Sequence, residues 1–215
     1  DGITNWVQKT RTEVGYKAFQ GSSDRFLSYT FGGVDGGNDA QALSRISGYN
    51  IYGSQMNIFI KDSGRTVGAF FKGEISSDQA VRTSTGFGLV FDPNERNNGP
   101  KQSLLANQLT NKTYFVGHDS EGNLISKIMG KFERNGKTLA AELLLRPSLS
   151  GTTAVQQELY LKNETNQSIA YGTFIGQDTM LNGNDEVPMS AMANNSGLYI
   201  TQNPYKLAIN MKVPY

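Results

Sequence analysis

The chain has no cysteine, one histidine and one tryptophan among its 215 residues. Without thiols it has no disulfide framework, no thiolate metal site and no cysteine nucleophile. With one imidazole it cannot build a zinc site from several histidines. His118 is therefore the sole imidazole base available to a Ser-His-Asp mechanism. It stands beside Asp119 in a polar segment, His118 to Asn123, that reads as a hairpin turn. An exposed turn histidine is seldom a general base. An excess of either charge is also lacking: 20 Lys and Arg face 19 Asp and Glu, for a net charge of +1. That balance gives no indication of the basic face that nucleic acid requires. No apolar run approaches the length that crosses a bilayer as a helix. Gly32-Gly33-Val34-Asp35-Gly36-Gly37 lacks the Lys-Ser/Thr ending of a phosphate loop. The start at Asp1 reads as a mature fragment cut from a longer protein.

Glycine, in contrast, is abundant, at 24 residues. Asn, Ser and Thr accompany it, and these types favour turns because they tolerate or stabilise unusual backbone angles. Between the turns lie short segments that alternate apolar and polar residues. This pattern predicts an all-β chain, an antiparallel β-sandwich or a larger supersandwich, with one or two short helices. The length suffices for a core without metal or disulfide support, and residues 1–215 read as one domain.

Strands are expected over Asp24 to Phe31, Gln55 to Lys61, Thr66 to Gly73 and Thr85 to Asp92. Further strands are expected over Thr113 to Val116, Leu124 to Phe132, Thr138 to Leu145, Val155 to Lys162 and Ser168 to Ile175. A last one, with one wet face, starts at Tyr205. Asn135-Gly136 is the strongest hairpin signal, because a type I′ turn needs positive φ at both central residues. Asn5 to Tyr16, Ala40 to Ile46 and Leu104 to Leu109 are the places for helices. Trp6 is expected to plug one end of the core in preference to serving as a ligand platform.

The densest cluster of turn formers and carboxylates runs from Asp178 to Pro188. Asn182, Asn184, Asp185 and Glu186 offer several oxygens within five residues, as a hard cation such as calcium requires. A structural calcium is the one cofactor the sequence suggests, although side-chain-to-backbone turns explain the same residues. In the loop Gly32 to Asp39, Asp35, Gly37 and Asp39 sit at alternate positions, as in a shortened calcium loop. With Tyr199 and Tyr205 the two aspartates form the candidate ligand-binding set, since a tyrosine ring combines apolar area with a polar tip. No catalytic residue is assigned. Glycoside hydrolysis would need two facing acids from among Asp35, Asp39, Asp92, Glu95, Asp178, Asp185 and Glu186.

Asp178-Thr-Met-Leu-Asn-Gly-Asn-Asp-Glu-Val-Pro188, Asn194-Asn-Ser-Gly-Leu-Tyr-Ile200 and Tyr205-Lys-Leu-Ala-Ile209 resemble β-sandwich modules of Gram-positive cell-surface proteins. These include adhesins and proteins encoded with WxL-type wall proteins. The resemblance covers about the last fifth of the chain, and the tryptophan-x-leucine signature is absent. It implies adhesion or cell-wall association outside the cell and carries over no catalytic residue. The expected function is a non-enzymatic module that recognises a glycan, a matrix protein or a wall component through its loops. It would use neither nucleic acid nor membrane insertion. The alternative is a carbohydrate-active enzyme or a mutarotase-like sugar binder with paired carboxylates. A plain structural stalk is a third option.

Overall fold

A computed structural model describes residues 2–9, 17–19, 25–31, 56–63, 65–71, 86–92, 103–105, 109–147, 155–176 and 178–212. Sixteen strands are described: β1 Thr4–Lys9, β2 Lys17–Phe19, β3 Arg25–Phe31, β4 Met56–Asp62, β5 Arg65–Phe71, β6 Gly86–Phe91, β7 Ser103–Leu105 and β8 Thr110–His118. They continue as β9 Leu124–Arg134, β10 Lys137–Pro147, β11 Val155–Lys162, β12 Tyr171–Gly176, β13 Asp178–Leu181, β14 Ser190–Ala191, β15 Gly197–Gln202 and β16 Tyr205–Asn210. The pairings are antiparallel throughout and form four sheets: β1-β8-β9-β10-β11, β12-β6-β7, β13-β5-β4-β3-β2 and β14-β15-β16. The chain is all-β, as the alternation implies. Among the described residues the helical content is one 3₁₀ turn, Ala193–Asn195. None of the described helices is long and apolar enough to cross a membrane.

The hairpins form where the turn chemistry calls for them. Asn135 and Gly136 have φ of 51° and 77°, and Arg134 faces Lys137 across the turn. Positive φ at both positions matches the twist of the flanking strands, which lets β9 and β10 pair along their whole length. Asp62 faces Arg65 in the β4–β5 hairpin. Two helix expectations fail over their described residues, which leave out 10–16 and 106–108. Thr4–Lys9 and Ser103–Leu105 are strands, because pairing with β8 and β6 supplies backbone partners that outweigh a weak helical period. Asp178–Leu181, expected within a turn-rich segment, is a strand paired with β5. Ala40 to Ile46, the third helix expectation, lies outside the described residues.

One hydrophobic cluster draws on all four sheets. Ile128, Phe132, Leu139, Ala141, Leu143 and Leu145 come from the first sheet, Leu89 and Phe91 from β6, Leu181 from β13, and Ile200 and Leu207 from β15 and β16. Period-two alternation explains the selection: Leu139, Ala141, Leu143 and Leu145 share one face of β10. Burying apolar surface from several sheets against one another is what makes the layers cohere. The opposite face of the first sheet is of another kind, and the candidate site lies there.

Candidate binding face

Strand register puts a defined set of side chains on the face of β1-β8-β9-β10-β11 turned away from the core. Gln8 faces Phe115, Phe115 faces Lys127, Lys127 faces Leu144, and Leu144 faces Glu158. In the adjoining rows Gly117 faces Ile125, and Met129, Glu142 and Tyr160 line up. Side chains directly opposite in an antiparallel pair share a face, so these residues form one face, on which Ile125 and Leu144 are buried.

At one side of this surface Trp6 lies against Gly117. A Cβ on Gly117 would stand 2.7 Å from the indole ring, so the ring occupies the space that only glycine leaves open. The ammonium of Lys127 is 4.0 Å from the Trp6 ring centroid and 5.2 Å from that of Phe115. The aromatic faces are electron-rich and attract the cation. Trp6 is half-buried and does not belong to the central apolar cluster. The tryptophan expected to plug the core instead covers a glycine on the outer face.

At the other side Glu158 collects donors from three residues. Arg146 Nη2 donates to Oε2 at 3.1 Å, Gln156 Nε2 donates to Oε1 at 2.7 Å, and the Tyr160 hydroxyl donates to Oε2. Arg146 Nε stands 2.7 Å from Oε1, although its N–H is not aimed at that oxygen. The Arg146 and Glu158 side chains are only 12% and 13% exposed, so this ion pair is largely removed from water. The Tyr160 phenol is held above its ordinary range by its hydrogen bond to Glu158, by burial and by the carboxylate charge. Tyr160 nevertheless remains 48% exposed. The face therefore pairs fixed polar groups with accessible aromatic area.

The turn from β8 to β9 is tied to the same end of the sheet by Asp119. Its Oδ1 accepts from the backbone N–H of Glu121 at 3.0 Å and of Asn123 at 2.8 Å, and its Oδ2 accepts from Asn123 Nδ2 at 2.9 Å. Burial pushes this carboxyl upward, but the bonds from Asn123 and Glu121, with the charge of Arg146, hold it below its usual range. A depressed folded-state value means that stability is present above the ordinary carboxylate range and is lost as pH falls through the folded value. Asp119→Ala should thus cost about 1 kcal/mol near neutral pH, with the cost shrinking in acid. Urea titrations of both proteins at a series of pH values measure it.

His118, next to this turn, is exposed at the end of β8 opposite Thr4 and Leu124. Its neighbour's carboxylate is already spent on the turn, so the pair is not arranged as a catalytic dyad.

The residues singled out in the sequence fall elsewhere. Asp35, Asp39 and Glu95 lie outside the described residues. Asp92 forms an ion pair with Lys137. Asn182 and Gly183, with φ of 51° and 77°, make a second tight turn closed by bonds of 2.9 and 3.1 Å between Leu181 and Asn184. Asn184 Oδ1 accepts from Glu186 N at 2.9 Å, and Asn182 Nδ2 donates to the Asn203 carbonyl at 3.3 Å. Of the oxygens expected to gather a calcium ion, Asn184 Oδ1 is used in the turn, and Asp185 and Glu186 are exposed. Among the described residues no group of three or more His, Asp and Glu could hold a metal.

Tyr199 and Tyr205 are not brought together. Tyr199 faces Ala208 and has the Lys206 ammonium 4.2 Å from its ring centroid, whereas Tyr205 faces Gln202 on the opposite side of the sheet. The Tyr205 hydroxyl donates to Asp62 Oδ2 at 2.8 Å, which fastens β16 to the β4–β5 hairpin. The sequence reading missed Phe115, Lys127, Arg146, Glu158 and Tyr160. Their signal was the half of the alternation in β8 to β11 that faces away from the core, which the core-facing half overshadowed. No family model matches the chain, and neither a curated protein nor a solved structure matches it.

Proposed function

We propose that the chain is a non-enzymatic binding module, displayed outside the cell, that recognises a protein through the outer face of its first sheet. The observation that carries this reading is that one face carries Trp6, Phe115 and Lys127 at one side and Tyr160 with the Arg146–Glu158 pair at the other. Binding energy at protein interfaces concentrates in Trp, Tyr and Arg held in fixed geometry. Here the polar groups are fixed before any partner arrives, which lowers the ordering cost of association. A flat glycan platform is less well served, because Gly117 and Lys127 already occupy the neighbourhood of the Trp6 ring. Binding is favoured over hydrolysis because several acids are committed to structural contacts: Glu158 to Arg146, Asp92 to Lys137, Glu164 to Lys131, and Asp119 to its turn. The absence of cysteine and the turn-rich composition fit display on a bacterial cell surface.

The test is binding to arrays of extracellular-matrix proteins and of glycans. The double variant Lys127→Glu with Tyr160→Ala should lose signal on the protein array by roughly a hundredfold, as expected for two central contacts of about 1–2 kcal/mol each. Asp185→Asn with Glu186→Gln, on the distant turn, should leave it unchanged. Binding confined to the glycan array, or insensitive to the first variant, would refute the proposal.

A further inference from the structure

Edge strands are the other feature that points outward. A strand with one unpaired side presents a row of N–H and C=O groups that another strand can pair with, and proteins normally blunt such edges. Edge β1 has a register shift between Thr4 and Val7. Edges β2, β7, β13 and β14 are two to four residues long. Edges β12 and β16, six residues each, and edge β11 have neither protection, and β11 is the longest of the three. Its eight residues run in unbroken register with β10 from Ala140↔Lys162 to Pro147↔Val155, and no described strand lies beyond it.

We propose that β11 is a homodimerisation edge that pairs antiparallel with β11 of a second copy, with Tyr160 facing Tyr160 across the two-fold axis. The register follows from the sequence Val155-Gln-Gln-Glu-Leu-Tyr-Leu-Lys162. Paired residues must share a face, so Tyr160 can oppose only residues of its own parity. Centring on Tyr160 sets Glu158 opposite Lys162 of the second copy, twice by symmetry, and sets Leu159 opposite Leu161. Centring on Glu158 opposes two glutamates directly. Centring on Leu161 leaves Glu158 opposite no residue of the strand and offers no charge pair. Like charges directly opposite destabilise a pair, and opposite charges stabilise it. Centring on Leu159 offers neither charge pair. A two-fold contact of this kind is self-complementary and closes after two copies. Because edge pairing leaves the sheet faces open, the dimer would join the two outer faces side by side. The inference stands independently of what those faces bind.

The absence of cysteine makes the test direct. In mild oxidant Tyr160→Cys should form an intermolecular disulfide roughly tenfold faster than Lys162→Cys, because only a residue opposite itself brings two sulfurs within bonding range. Sedimentation velocity of the unmodified chain from low to high micromolar concentration should show a monomer–dimer equilibrium. Lys162→Glu, an exposed change that leaves the fold intact by circular dichroism, should weaken dimerisation roughly tenfold by opposing glutamates. A chain that stays monomeric throughout overturns the inference. So does a dimer that crosslinks no faster at residue 160 than at residue 162, or one indifferent to Lys162→Glu.

Discussion

Gly197→Ala should unfold the three-stranded sheet β14-β15-β16 locally and lower the melting temperature of the chain by roughly 10 °C. A Cβ at position 197 would stand 2.0 Å from the Ile209 carbonyl oxygen and 3.1 Å from the Asn210 Cα, both backbone atoms of the neighbouring strand. A side chain in the way could change rotamer, but a paired backbone can move only by breaking its ladder. Gly197 faces Asn210 at the start of the β15–β16 register, and the next backbone bond, Met211 N to Ser196 O at 2.8 Å, depends on the same approach. Overpacking of this kind costs about 3 kcal/mol. A chain of this size loses roughly 2–4 °C for each kcal/mol. Gly183→Ala makes the contrast: it meets the penalty of positive φ, which Gly197 does not carry, but nothing stands within 4 Å of its Cβ position. It should cost about 1 kcal/mol. Thermal melts followed by near-ultraviolet circular dichroism separate the two. Equal losses would mean that the close approach of Gly197 is not what requires glycine there.

These two glycines mark what could and could not be read from the sequence. Gly183 follows Asn182, and such an Asn-Gly pair states its own turn geometry, as Asn135-Gly136 does between β9 and β10. Local chemistry of this kind, with period-two alternation, made the strands and the β9–β10 hairpin legible. Gly197 offers no such signal, because its requirement comes from a carbonyl twelve residues away in the chain. Gly117 is the same case, reserved for an indole from β1. The candidate face was illegible for a related reason. Lys127, Leu144 and Glu158 belong to three strands and become neighbours only through register, which the alternation within each strand does not fix. Asn182, Asn184, Asp185 and Glu186 lie side by side in the sequence, and of these Asn182 sits in a two-residue turn with Gly183 that Asn184 closes. Trp6 was legible as an important ring, but not its side of the sheet, since its strand was taken for a helix.

Breaking the Arg146–Glu158 pair from one side should cost more than removing it altogether. Glu158→Ala leaves Arg146, only 12% exposed, with a charge that has lost its partner. Gln156 and Tyr160 lose their acceptor at the same time. Removing one member of a largely buried pair costs about 3 kcal/mol. Replacing both members with Leu removes the stranded charge and extends the apolar surface of Leu144, which is already buried beside them. That double variant should fall within about 1 kcal/mol of the unmodified chain. The pair would then owe its place to what it holds rather than to stability. Tyr160 provides the readout that a purely structural role would not move. With the Glu158 carboxylate gone, its phenol should titrate lower, because the hydrogen bond that is the largest cause of its upward shift disappears with the carboxylate charge, while the effect of burial remains. Urea denaturation gives the stability comparison, and NMR of ring-labelled tyrosine follows the phenol. If the double variant is as unstable as Glu158→Ala, the pair is a stabilising contact in its own right. In that case the outer face would lose its claim to polar groups set in place for a partner.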